Sequence, residues 1–301
     1  MPFTSIRCRC AGVALLLIVV LAAFQVGDRH MDFHPSMSPD GKRITYYSYR
    51  TDAPDIFVTD IASGVETNVT DSEDLWEIEP HWSPTDDRIA YSRGSSMADL
   101  EVVVRDLETG VVSVVDHGVN VVWSPDGLRL LYMKDWNLWI ASADGTDKRN
   151  VDLDELEGRK SEPAWSPDGT TVYFVHQLTD GGASSIYAVD LETGGHRLVF
   201  DGHGALIGAP VLSPDGHTLY LSGEVAGSAQ RVFAYDMMKR GELTPVTQIA
   251  DGIQYFPSLT PSGGSLLVEA GDWATKEFFI YAFPLADGSG DSKRLTGPAR
   301  Q

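Results

Sequence analysis

Glu162-Pro163-Ala164-Trp165-Ser166-Pro167-Asp168-Gly169-Thr170-Thr171-Val172-Tyr173-Phe174-Val175 is the stretch on which the fold turns. Pro167 presets φ for a corner, Asp168 can bond its own backbone, and Gly169 supplies the positive φ a tight turn needs. A short apolar segment, Pro163-Ala164-Trp165, leads into that turn. Thr171 to Val175 leaves it as β-branched and aromatic residues at strand period. Further on, a polar Gly-rich loop from Thr179 to Ser184 gives way to Ile186-Tyr187-Ala188-Val189-Asp190. Leu191-Glu192-Thr193-Gly194 then turns the chain into His196-Arg197-Leu198-Val199-Phe200. The unit reads as four short antiparallel strands joined by three turns.

The unit repeats. Ser-Pro-Asp-Gly occurs at Ser38, Ser124, Ser166 and Ser213, and degenerate copies start at Ser83 (Ser-Pro-Thr-Asp) and Thr260 (Thr-Pro-Ser-Gly). The steps between starts are 45, 41, 42, 47 and 47 residues, and 41 residues follow the last start. A period near 44 residues with four strands per period matches one propeller blade. The expected fold is all-β, a six-bladed β-propeller of four-stranded antiparallel blades over residues 30–298, with no helix outside the N-terminal segment. Asp60 to Gly64, Asp106 to Gly110 and Asp190 to Gly194 turn a later hairpin in the same way. Trp82, Trp123 and Trp165 stand just before the Ser, where Met37, Leu212 and Leu259 stand in the other units. A large side chain at one repeat position suits packing between blades. Residues that recur in every unit are therefore read as scaffold.

Composition narrows the function. Hydrophobic residues make up 43% and charged residues 22%, which is globular composition. Forty-three acidic residues against 23 basic ones give a net charge of −20, which disfavours nucleic-acid binding. The only cysteines, Cys8 and Cys10, precede the body, so neither a disulfide framework nor a Cys-based zinc site is expected there. Arg7 and Arg9 lead into an apolar run from Ala11 to Phe24, with small residues at Ala22 and Ala23. That pattern reads as a signal peptide or signal anchor over residues 1–25 and predicts an exported protein, periplasmic or extracellular. Fourteen apolar residues fall short of the roughly twenty a membrane span needs.

The Ser-Pro-Asp-Gly units, with Lys42-Arg43-Ile44 and Asp55-Ile56-Phe57-Val58-Thr59-Asp60 downstream, resemble the WD-like repeats of the TolB-type β-propeller family. The resemblance covers about residues 30–298. It is specific for the fold and weak for the function, since members range from translocation scaffolds to peptidase-associated propellers. TolB itself is periplasmic, carries an α/β domain ahead of its propeller and binds a peptidoglycan-associated lipoprotein. That domain is not expected between the signal and His34, so the lipoprotein is not carried over as partner. Lys293-Arg294-Leu295-Thr296 supplies the last strand of unit six and no spare strand precedes unit one. Closure is therefore expected by side-chain packing between the first and last blades.

One repeat position breaks the pattern. The residue before the first-strand Pro (Val121 in unit three) reads His34, Glu79, Asn120, Glu162, Ala209 and Phe256. Variation at an equivalent place is what a site on a symmetric scaffold requires, so these residues are expected to line a channel mouth. Trp76, Glu77 and Tyr255 are expected on its rim. His81 is read as turned away from Glu79. No His-Glu-x-x-His or Gly-x-Ser-x-Gly pattern occurs, and Asp287 to Asp291 resembles a calcium loop only faintly because the distal Glu is missing. Two functions follow. The first is a non-enzymatic, monomeric propeller without cofactor that binds a protein or cell-envelope partner of cationic character. The alternative is a metal-dependent lyase or lactonase acting on a carbohydrate or lactone, similar to oligogalacturonate lyases. In it His34, Glu79 and Glu162 would hold a divalent cation. The scarcity of Lys and Arg near this mouth weighs against an anionic sugar.

Overall fold

A computed structural model describes residues 30–153, 155–178, 183–202, 205, 207–224, 230–247, 252–285 and 292–297. The N-terminal segment read as a signal, both cysteines and the Asp287–Asp291 loop lie outside the described residues. Six sheets follow one another along the chain, each of four consecutive antiparallel strands. Blade 1 is β1 (Asp32–Met37), β2 (Arg43–Ser48), β3 (Asp55–Asp60) and β4 (Glu66–Asn68). Blade 2 runs from β5 (Trp76–Trp82) to β8 (Val112–His117), and blade 3 from β9 (Val119–Trp123) to β12 (Arg149–Asn150). Blade 4 runs from β13 (Arg159–Trp165) to β16 (His196–Asp201), and blade 5 from β17 (Ile207–Leu212) to β20 (Thr244–Pro245). Blade 6 runs from β21 (Ile253–Leu259) through β22 (Ser265–Asp272) and β23 (Glu277–Pro284) to β24 (Lys293–Arg294). Among the described residues no helix is long and apolar enough to cross a membrane.

The turn chemistry is as the repeat implies. Ser38 Oγ donates to Asp40 Oδ1 at 2.6 Å and accepts from Arg43 N at 3.0 Å, while Gly41 N reaches Ser38 O at 2.9 Å. Gly41 has φ 72°, a value open to Gly at no steric cost. Ser166 and Asp168 repeat the serine–aspartate bond at 2.5 Å, and Ser213 and Asp215 at 2.6 Å. The later corners bond the same way, Thr109 N to Asp106 at 2.7 Å and Thr193 N to Asp190 at 2.7 Å. These turns lie together on what we call the turn face. The β2–β3 type loops and the links between blades lie on the opposite, loop face.

The innermost strands form a closed ring, β1 packing against both β5 and β21, and β9, β13 and β17 completing it. The core lies between blades. Tyr173, Val175 and Ile186 of blade 4 pack on Ile207, Leu219 and Phe233 of blade 5. Ile44, Tyr46 and Phe57 of blade 1 pack on Leu267 and Ile280 of blade 6. Each sheet has two apolar faces because each is sandwiched by neighbours, which explains why the second strands read as nearly continuous apolar runs. The expected tryptophans do pack between blades, and each carries an arginine from the blade before. Arg43 lies over Trp82 at 4.9 Å, Arg88 over Trp123 at 4.9 Å, and Arg129 over Trp165 at 4.7 Å.

Among the described residues no sheet borrows a strand, and the first and last blades meet by packing and by isolated bonds. Met31 forms a single parallel bridge with Phe278, and Phe278 N donates to His30 O at 2.7 Å. Ser258 Oγ donates to Pro35 O at 2.6 Å. Arg50 bonds Asp32 at 2.8 and 2.9 Å and also Glu66, which in turn accepts from Gly297 N at 3.2 Å. Thr296 bonds Asp32 as well.

Candidate functional site

At the position where the sequence breaks its repeat, the backbone breaks its ladder. Each inner strand slips register there, between Phe33 and Ser36, Ile78 and His81, Ser161 and Ala164, Gly208 and Val211, and Tyr255 and Ser258. Strand β9 slips in the same way between Val119 and Val122. The bulged residues all have left-handed φ: His34 52°, Glu79 57°, Asn120 53°, Glu162 48°, Ala209 49° and Phe256 42°. Five of the six precede a Pro, which lacks the N–H a ladder bond requires. A non-Gly residue held there costs on the order of 1–3 kcal/mol, and a bulge re-aims its side chain. All six side chains are thereby turned into one central cavity of about 480 Å³ that also takes in Pro39, Pro84, Pro125 and Pro261 of the turn face.

The strain has a partner. Glu79 accepts from Asn120 N at 2.9 Å and Glu269 from His34 N at 2.7 Å, and Glu162 accepts from Ala209 N. Carboxylates thus satisfy amides that the bulge removes from the sheet, linking blade 2 to 3, 4 to 5 and 6 to 1. Burial pushes the Glu162 carboxyl up to about 7, with Glu79 nearby adding to the rise, and the Glu269 carboxyl up to about 8. Burial lowers the His34 imidazole to about 3 and that of His81 to about 4, so both are neutral. His34 lies 3.7 Å, centroid to centroid, from the Phe256 ring. The ring of six is therefore lopsided, polar over blades 2 to 4 and apolar or aromatic over blades 5, 6 and 1.

Trp76, Glu77 and Tyr255 are not among the cavity's lining residues. They sit at or near the start of their strands, toward the loop face. Glu77 is 4% exposed, its amide bonded to Pro54 O at 2.8 Å. His81, read as turned away from Glu79, stands just beyond the bulge in β5 and is among the residues that line the cavity. His34, Glu79 and Glu162 share the channel, but they do not converge. Among the described residues no group of three His, Cys, Asp or Glu side chains is spaced to hold a metal ion. A six-fold ring spreads equivalent side chains apart, and both carboxylates are engaged with the neighbouring blade's backbone.

Sequence reasoning missed Glu269, which stands on a second strand outside the repeat position inspected. It also missed the arginines that cover the tryptophans.

No protein-family model matches the chain. Over 253 residues the chain is 24% identical to the Tol-Pal system protein TolB of Francisella tularensis, an alignment covering 81% of this chain and 54% of that protein. With six blades and the Ser-Pro-Asp-Gly turns in place, the chain is a propeller similar to that of TolB. It spans about half the length of the curated relatives it matches. Among solved structures it is similar to an oligogalacturonate lyase in complex with manganese, with TM-score 0.59 and 17% identity over 87% of this chain and 78% of that one. It is also similar to the propeller domain of the trilobed protease of Pyrococcus furiosus, described as having an open velcro topology. There the TM-score is 0.54 and identity 15%, over 91% of this chain and 85% of that one. These structural likenesses concern the fold.

Proposed function

We propose that this chain is an exported, non-enzymatic TolB-type propeller that binds a protein partner of the cell envelope through the turn-face mouth of its channel. The observation that carries the reading is the lopsided ring of bulged residues. Six strained backbones, three of them satisfied by buried carboxylates, hold divergent side chains around one cavity on an otherwise repetitive scaffold. Strain of this kind collects at binding sites. Support also comes from the relatives named for the Tol-Pal system and from the Arg-flanked apolar run at residues 11–24, which fits export to the periplasm. The carboxylates and the net charge of −20 suit a cationic surface on the partner.

A second reading, a metal-dependent lyase or lactonase, draws support from the fold shared with the manganese-bound oligogalacturonate lyase. It is weakened by the separation of His34, Glu79 and Glu162, and by a cavity with no Lys or Arg among its lining residues to meet an acidic sugar. The test is capture of a partner from envelope extract by immobilised wild type and by Ala209→Arg, which would fill the channel. Loss of the captured protein in the variant, with an unchanged melting temperature, is the expected result. Equal capture by both would overturn the reading. Copurification of a stoichiometric divalent ion, lost in Glu79→Ala/Glu162→Ala, would move it to the enzyme.

A further inference from the structure

We propose that Glu162 is the anchor for a single cationic side chain, a guanidinium or a primary ammonium, that enters the channel from the turn face with its aliphatic stem along Ala209 and Phe256. The proposal rests on the channel-binding reading above and specifies the chemistry that enters.

The three carboxylates of the channel region differ in how fully they are satisfied. Glu79 accepts from Asn120 N at 2.9 Å and from Ser92 Oγ at 3.4 Å, and the Asn120 side chain bonds it too. Glu269 is 2% exposed and is not among the residues lining the cavity. Glu162 is 9% exposed, lines the cavity, and among the described residues receives one hydrogen bond, from Ala209 N to its Oε2. Among the described residues no donor reaches its Oε1, which keeps acceptor capacity toward the cavity. A carboxylate so placed is completed by a charge-assisted donor, and a guanidinium or ammonium is the donor that also neutralises it.

The cavity supplies no such donor itself. Its lining residues include no Lys or Arg, and burial keeps the imidazoles of His34 and His81 neutral. Beyond Glu162 the wall is apolar: Ala209, Pro210 and the Phe256 ring against His34. A long basic side chain has that same division, methylenes below and charge at the tip. Space for it follows from two small residues in blade 5. Gly208 lies under the carboxylate, where a Cβ would come within 2.5 Å of Oε2, and Ala209 replaces the larger side chains of the other blades.

The test uses n-butylguanidinium as probe and uncharged n-butylurea as its counterpart, at constant ionic strength. Binding is followed by the amide resonances of Gly208 and Ala209. Saturable shifts with butylguanidinium, at least tenfold weaker binding of butylurea, and a tenfold or greater loss in Glu162→Gln are expected. The glutamine carbonyl still accepts from Ala209 N, so that variant keeps the fold, which its melting temperature verifies. Equal binding of the two probes, an unaffected Glu162→Gln, or manganese alone saturating the same resonances without competition from butylguanidinium would each overturn the proposal. The broader reading is scored separately. If Ala209→Arg abolishes partner capture while Glu162→Gln leaves it intact, the channel binds a partner without this anchor, and only the present inference falls.

Discussion

Glu162 and Gly208 show how a single residue pair is built into this channel. The carboxylate occupies the space over Gly208 where any other residue would carry a Cβ. Gly208→Ala is expected to displace it, orphan the Ala209 amide and cost about 1–3 kcal/mol, measurable by urea denaturation. The pH response can also be worked out residue by residue. The Glu162 and Glu269 carboxyls are raised to about 7 and about 8, so the folded protein holds protons that the unfolded chain releases above its ordinary value of 4.5. Stability from these groups is complete below that value and is lost as pH rises toward the folded values. His34 and His81 act oppositely, since their lowered values cost stability as pH falls below 6.5. Above pH 6.5 only the carboxyls operate in this set. The melting temperature is expected to fall between pH 6.5 and 8.5, and Glu162→Gln/Glu269→Gln to flatten that fall. An equally steep fall in the double variant would disprove the assignment.

At the scale of the element, a blade is joined to the next by one of two alternative pairs. Arg43, Arg88 and Arg129 cover Trp82, Trp123 and Trp165. At the remaining three interfaces the arginine position holds Thr171, Thr218 or Ser265, and the tryptophan position holds Leu212, Leu259 or Met37. Large cation and large ring occur together, and small polar residue and aliphatic occur together. Arg129→Thr alone is expected to cost about 0.5–2 kcal/mol through the lost cation–π contact. Combined with Trp165→Leu, it should cost less than the two single changes added, because that pair is already used at the next two interfaces. A double-mutant cycle by chemical denaturation measures the coupling, and strict additivity would refute it. This covariation was open to reading from the chain alone, once both positions were aligned across all six units.

For the whole molecule the decisive feature is the seam between blades 1 and 6. Asp32 is wholly buried and depends on Arg50, so Arg50→Met leaves an uncompensated carboxyl and is expected to cost about 3–5 kcal/mol. Burial raises the Asp32 carboxyl despite Arg50, so the variant is expected to take up a proton there. Removal of residues 292–301 deletes β24, the Thr296 Oγ bond to Ile280 N at 3.0 Å, and the Gly297 bond to Glu66. The melting temperature should drop by several degrees. Hydrogen exchange should quicken first at the His34 and Phe278 amides, while those of Asn120 and Ala209 stay protected. Uniform loss of protection around the ring would show that the seam is not its weak point.

The blade count, the strand grammar, the turn chemistry and the position of divergent side chains were all legible in the sequence, because each depends on a local pattern recurring at a fixed period. The Trp82, Trp123 and Trp165 contacts were legible for the same reason. What the chain did not reveal concerns distance across the ring. Trp76, Glu77 and Tyr255 read as rim residues of the channel, but which of its two ends they stand nearer, the loop face, follows only from the strand directions in the folded ring. His34, Glu79 and Glu162 read as possible ligands of one ion, yet the ring holds them apart and turns the carboxylates onto neighbouring backbone amides. The left-handed bulge that aims all six residues inward has no signature beyond a proline, since its strain is sustained by contacts between blades that only the closed ring brings together.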